Sequence, residues 1–341
     1  MKLLLLFVIL SSAIQAQWIR QNVDTKASLR GLSVVNEKVV WASGTGGTVI
    51  RTIDGGKTWK VMAVPGADKL DFRDIEAFDA KTAYILSIGN GEFSRIYKTV
   101  DGGAAWKEQF RNKNEKAFFD AIACWDSKNC VAVSDPVENK FLLLGTENGE
   151  DWTLLGKGLV ALTRGKVQTA REGEAAFAAS GTCLITIGKS YVYLVSGGSD
   201  ARVFRSWDGG RSWFIDDTPI IKGKPGSGIF SIANRGGKSN VIVGGNYEKP
   251  DEAKNNLAFS TDGGKTWTLG TGLSGYRSAV AYIDRKSIIA VGTNGTDLTR
   301  DGGKSWKKIG EENLNSVAAK GSRAVWAVGP DGTVLKLKAL N

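Results

Sequence analysis

Apolar and polar positions alternate in short bursts along this chain, and one stretch shows the unit. Phe72-Arg-Asp-Ile-Glu-Ala-Phe78 alternates, Ala83-Tyr-Ile-Leu-Ser-Ile88 is almost wholly apolar, and Arg95-Ile-Tyr-Lys98 runs into a polar Asp-Gly-Gly turn. A Trp-led run follows such turns, as in Trp59-Lys-Val-Met62 and Trp106-Lys-Glu-Gln109. Period-two alternation and short β-branched runs bounded by Gly and Asp predict four short strands per unit. Long helical periodicity is absent, and only Val160 to Ala170 has room for a single helical turn.

The unit repeats because its turn repeats. Thr52-Ile-Asp54-Gly-Gly-Lys-Thr-Trp59 returns with its hydroxyl residue at Thr99, Ser206, Ser260 and Thr299, and a sixth copy, Thr146-Glu-Asn148-Gly149-Glu-Asp-Trp152, is one residue shorter. A hydroxyl and a carboxylate ahead of two glycines is turn chemistry. The side-chain oxygens accept the turn's own N–H groups, and glycine takes the positive φ. The Trp is expected to start the next strand and pack on the flank of the turn. Asp54, Asp101, Asn148, Asp208, Asp262 and Asp301 are therefore read as structural, since a folding device benefits from repetition and a catalytic residue does not.

The motif resembles the Asp-box, or BNR repeat, of sialidases, sortilin-type receptors, some glycoside hydrolases and photosystem II assembly factors. That resemblance implies a β-propeller and leaves function open. Its spacing and its Asp-Gly-Gly-Lys-Thr-Trp form are most similar to the photosystem II stability/assembly factor type and its secreted bacterial relatives.

The termini set the blade count. After the sixth box, Ser316-Val-Ala-Ala, Val325-Trp-Ala-Val328 and Thr333 to Lys338 supply three strands, and the chain stops where a seventh box would stand. Gln17-Trp18-Ile-Arg-Gln21 has the form of the run that follows each box. The expected fold is all-β: a seven-bladed propeller of four-stranded antiparallel blades, closed by the N-terminal strand in the last blade. Closure removes the open sheet edge. Residues 17–341 are expected to form this single domain, as a monomer.

Residues 1–16 have the form of a signal peptide: Lys2, the apolar run Leu3 to Leu10, and Ser11-Ser-Ala-Ile-Gln-Ala16 ahead of a cut at Gln17. The run is shorter than the roughly 20 residues of a membrane-spanning helix. A secreted or periplasmic location follows as an expectation. The full chain carries a net charge of +10, which suits an acidic polysaccharide, an anionic lipid or an acidic protein face. Nucleic acid is not expected, because export removes that partner and no dense Lys/Arg cluster exists. Most of the excess is Lys scattered through turns and strand edges, the composition of a solvated surface.

The chain has no histidine, which excludes Ser-His-Asp and Cys-His catalysis and His-ligated zinc. No metal-ligand spacing and no dinucleotide-binding glycine motif is present, so neither metal nor cofactor is expected. Cys124 and Cys130 flank a turn where paired strands could bring them to disulfide distance or leave them as thiols. Cys183 lies in an apolar run, as a buried free thiol would.

In a four-strand meander the boxes lie at one end of the ring, and the irregular segments Leu155 to Glu174, Asp216 to Ser227 and Asn246 to Asn256 lie at the other. Binding residues gather on such loops. Aligning the units puts Arg30, Arg73, Asp120, Phe230, Arg277 and Asn315 at one level beside the channel, with the fourth blade unassigned around Glu174 to Gly181. Asp135, Arg202, Tyr247, Lys249 and Tyr276 are candidates to join them. Three Arg would take a carboxylate, sulfate or phosphate. The same residues also fit a solvated, mutually neutralising rim around a water-filled tunnel.

The leading expectation is an exported, non-catalytic platform for binding or assembly, as the assembly-factor resemblance implies. It would take a protein partner or an acidic ligand, and would sit peripheral to a membrane assembly. That family's partner-binding arginines cannot be matched residue by residue here, and its chloroplast role does not carry over. The alternative is a sialidase- or glycosidase-like hydrolase using Asp120, Glu174 and Tyr276 with the Arg cluster. It lacks the Arg-Ile-Pro segment of sialidases and implies seven blades against their six. Some relatives of this type are described as oxidoreductases, but no flavin, nicotinamide, haem or dithiol signature supports that here.

Overall fold

A computed structural model describes residues 17–163 and 166–338. The signal-peptide expectation for residues 1–16 lies outside the described residues. Seven four-stranded antiparallel blades follow one another around a ring, and two short strands extend the sheet of blade 5 to six. Blade 1 shows the plan: Leu29–Val34 innermost, then Val40–Gly44, Thr48–Thr52 and Lys60–Ala63 outward. The innermost strands of blades 2 to 7 are Phe72–Ala77, Phe119–Cys124, Leu184–Ile187, Ser227–Arg235, Ala279–Tyr282 and Ser316–Ala319. Trp18–Arg20 is the fourth strand of blade 7, with Trp18 opposite Leu337 and Arg20 opposite Leu335. The ring closes as the sequence predicts. The indole of Trp18 also donates to Thr296 Oγ1 of blade 6 at 3.1 Å.

The second strands are buried on both faces. Val40, Trp41, Ala42, Ala83, Tyr84 and Ile85 are fully enclosed, because each blade packs on neighbours at both sides. This is why these runs read as continuous rather than alternating. Trp59, which follows the first box, meets Trp326 of blade 7 edge-on at 5.6 Å. The box Trp thus reaches the preceding blade as well as its own turn.

The first Asp-box works by hydrogen bonds within the turn. Thr52 Oγ1 donates to Asp54 Oδ1 (2.8 Å) and accepts Gly56 N–H, while Asp54 accepts both the N–H and the hydroxyl of Thr58. Gly55 and Gly56 hold φ of 77° and 92°, which a side chain would resist. In the shorter copy Asn148 Oδ1 accepts the N–H groups of Glu150 and Asp151, so an amide oxygen replaces the carboxylate. Cys124 and Cys130 form a disulfide across the turn that pairs them, and Cys183 is a buried thiol.

Between blades 3 and 4 the structure departs from expectation. The described residues of Val160 to Ala170 hold no helical turn. Ala161–Thr163 and Lys166–Gln168 pair as a hairpin, consistent with the β-branched residues at Val160, Thr163, Val167 and Thr169. Glu174–Ala175 then pairs with Gly197–Gly198, and the chain turns into the ring before blade 4 begins.

Candidate functional site at the channel mouth

The innermost strands of blades 1, 2, 3 and 5 share a β-bulge near their start, between Leu29 and Gly31, Phe72 and Asp74, Phe119 and Ala121, and Ile229 and Ser231. The extra residue turns inward: Arg30, Arg73, Asp120 and Phe230. A bulge re-aims one side chain without disturbing the rest of the strand. These four line one cavity of about 420 Å³ with Asp135, Tyr247, Tyr276 and Asn315. It lies at the end of the ring away from the Asp-boxes.

Arg277 is not among them, and the reason is register. The N–H groups of Leu29, Ile229, Arg277 and Leu314 each bond back to the preceding blade, at Gly329, Ser196, Gly244 and Gly292. Arg277 therefore occupies the level of Leu29, and Ser278 that of Arg30. One residue of offset sends a strand side chain to the opposite face. Arg277 is buried inside the blade, where Nε donates to Asp297 Oδ2 at 2.8 Å and Nη1 to Asn294 Oδ1 at 2.6 Å. The expected three-Arg cluster contains two arginines.

Arg202 and Glu174 are also elsewhere. They form a buried ion pair, with Arg202 Nε donating to Glu174 Oε1 at 2.9 Å and Nη2 to the other oxygen. Glu174 further accepts Arg171 N–H (2.8 Å), and Arg202 donates to the Thr169 carbonyl. Glu174 is thereby enclosed and does not line the cavity. Lys249 is exposed in the loop after Tyr247, outside the cavity lining.

The segment that sequence reasoning left unassigned proves central. Residues 176–181 cross the mouth as a strap. Ala176 N–H donates to Asp135 Oδ1 (2.9 Å), Arg73 Nη1 to the Ala178 carbonyl (3.3 Å), Arg30 Nη1 to the Ala179 carbonyl (3.1 Å), and Ser180 Oγ to the Ser278 carbonyl (2.9 Å). Phe177 lies face to face on Phe230 at 3.9 Å, and Tyr276 meets Phe230 edge-on at 4.7 Å. At Gly181, with φ of 77°, an added Cβ would lie 2.1 Å from Asp74 Oδ1. Only glycine passes that carboxylate. The wide interval between the third and fourth boxes was the sequence signal for this insertion.

The mouth holds both charges at close quarters. Burial, then the nearby Arg73, lowers the pKa of Arg30. Burial raises Asp135 to about 6, and burial with the adjacent Asp135 raises Asp120 well above the carboxylate range. Deeper in, burial pushes Asp74 up to about 7, although it accepts the N–H groups of Ile75 and Ile122. Arg73 pairs with Asp71 at 2.8 Å. Among the described residues Arg30 has no ion-pair partner, and no group of three or more His, Cys, Asp or Glu is placed to hold a metal ion. Cationic N–H donors beside aromatic faces can hold a carboxylate and an adjoining apolar group. Tyr276 lines the mouth, and among the described residues that line it there is no Glu.

Comparison with known proteins agrees with the fold. The family model described as BNR/Asp-box repeat matches residues 258–269, the fifth box and its flanking strands. The chain is a β-propeller that carries this repeat in its turns. YCF48 from Cyanidioschyzon merolae superposes on the propeller with a TM-score of 0.69 at 18% identity, covering 96% of this chain and 100% of that one. YCF48 bound to a D1 peptide gives 0.67 at 16%, covering 94% and 96%. A catalytically inactive virginiamycin B lyase from Staphylococcus aureus, with quinupristin, gives 0.62 at 12%, covering 96% and 100%. At such identities the propeller shares a fold with binding proteins and enzymes alike. No curated protein matches it in sequence.

Proposed function

We propose that this propeller is an exported, non-catalytic platform for binding or assembly, which captures a protein segment at the mouth opposite its Asp-boxes. The observation that carries the reading is Arg30. It is half-buried at a cavity wall, its bound acceptor is a backbone carbonyl of the strap, and among the described residues no carboxylate forms an ion pair with it, although Asp71 acts on it from further off. Such a guanidinium is poised for a carboxylate from outside, as a side chain or chain terminus. Phe230, Tyr247 and Tyr276 beside it supply an apolar seat. The fold similarity to YCF48, solved with a peptide bound, supports a protein partner.

The test is affinity capture from the extracytoplasmic fraction with the wild type and an Arg30→Ala/Arg73→Ala variant. A partner held by the wild type and lost by the variant supports the reading. Equal capture by both would remove the site from the mouth. Turnover of an acidic glycan that stops in Asp120→Asn would replace the platform with an enzyme.

A further inference from the structure

The lysines that look scattered in the sequence are collected by the fold. On the Asp-box face the turn between first and second strands lies beside the box of the same blade, and one hydrogen bond fixes the two. The first box glycine donates its N–H to a lysine carbonyl: Gly55 to Lys38, Gly102 to Lys81, Gly263 to Lys238 and Gly302 to Lys286, at 2.8 to 3.0 Å. The boxes themselves add Lys57, Lys265 and Lys304. In blades 1, 5 and 6 two ammonium groups thus stand together at one tip.

Of the carboxylates at these tips, Glu37 pairs with Arg323 at 2.7 Å, and the Asp residues are engaged within their own turns. Asp262 and Asp301 accept hydroxyl and backbone donors of their own boxes, and Asp284 accepts the N–H groups of Lys286 and Ser287. The ammonium groups project into solvent. Blade 7 continues the series with exposed Lys320 and Arg323, while blades 2 and 3 break it: Ala104 replaces the box lysine, and Glu147, Glu150 and Asp151 load the third box. Positive charge therefore forms a crescent over blades 5, 6, 7 and 1. Blade tips of a propeller end at a common level, so the crescent is broad and nearly flat. At the same level, in blade 4 beside the crescent, Trp207 and Tyr191 are about half exposed (46% and 50%).

We propose that this crescent docks on the anionic headgroups of a lipid bilayer. An array of exposed lysines with half-exposed aromatic side chains at the same level fits an interfacial surface. Docked in this way, the propeller turns the Arg30 mouth away from the bilayer, toward soluble segments of membrane-bound partners.

The test is co-sedimentation of the purified protein with vesicles of phosphatidylcholine alone and of phosphatidylcholine mixed with phosphatidylglycerol. Two variants lose equal charge: Lys238→Gln/Lys265→Gln/Lys286→Gln/Lys304→Gln on the crescent, and Lys69→Gln/Lys113→Gln/Lys116→Gln/Lys254→Gln on exposed loops at the opposite end. The expected result is binding to the mixed vesicles only, weakened at least about tenfold by the crescent changes and little by the others. Equal loss in both variants, or no vesicle binding by the wild type, overturns the proposal. So does retention on an immobilised acidic polysaccharide without vesicle binding. Partner capture at the mouth is read separately, so either reading can fail alone.

Discussion

Arg202 and Glu174 form a buried ion pair that fastens the start of the strap to the second-to-third-strand connection of blade 4. Glu174 ends the long excursion after blade 3, and the residues that follow it cross the channel mouth. A contact that looked like part of a binding rim is an anchor for the element covering that rim.

Removing one partner of this pair leaves a buried charge alone. Glu174→Ala or Arg202→Ala is expected to cost about 3–5 kcal/mol, measured by urea unfolding, whereas an apolar replacement of both partners at similar volume should cost less than either. A single-variant loss below about 1 kcal/mol would show that the pair does not hold the strap.

The same argument separates the arginines. Arg277→Ala strands Asp297, which is fully enclosed, and is expected to destabilise the protein by about 3–5 kcal/mol. Arg30→Ala removes one hydrogen bond to a carbonyl and should cost about 1 kcal/mol. Melting curves of the two variants, measured side by side, check the register correction directly.

Gly181 and Gly66 share a positive φ, 77° and 72°, but only Gly181 has a neighbour in the way. Gly66→Ala should cost about 1 kcal/mol from backbone strain alone. Gly181→Ala drives a methyl into the Asp74 carboxylate and should cost at least about 2 kcal/mol more, since overpacking adds to the strain. Near-equal melting temperatures would mean that the strap yields at that point.

Stability should pass through a maximum in mildly acidic solution. Asp54 and Asp262 are held down to about 2 by hydrogen bonds within their boxes, so what they contribute is present above the unfolded value near 4 and is lost as pH falls toward 2. Asp74 behaves oppositely. Burial raises it to about 7, so the folded state keeps a proton that the unfolded chain releases near 4, and stability falls as pH rises from about 4 to about 7. The slope from one such group approaches about 1.4 kcal/mol per pH unit. Asp120 and Asp135, raised in the same direction, add to it, so urea unfolding across this range should show at least that slope in the wild type and a shallower one in Asp74→Asn.

The sequence by itself determined the blades, because repetition, alternation and turn chemistry act within a few residues. Thr52, Asp54 and two glycines make a tight turn wherever they occur, and Trp18 could be placed in the last blade because its run copies those after the boxes. Arg30, Arg73, Asp120 and Phe230 were legible as one level for the same reason. Only the tertiary structure decided what a single-residue offset and a non-repeating insertion do. Ser278 rather than Arg277 faces the channel because the backbone register of blade 6 puts it at the level of Arg30, and Arg202 with Glu174 is an anchor because a strand pairing distant in sequence brings them together. The strap obeys no repeat, and its course depends on Gly181 passing Asp74, residues from different blades. Likewise, lysines spaced evenly along the chain become one charged crescent only when the ring sets every box turn at the same end.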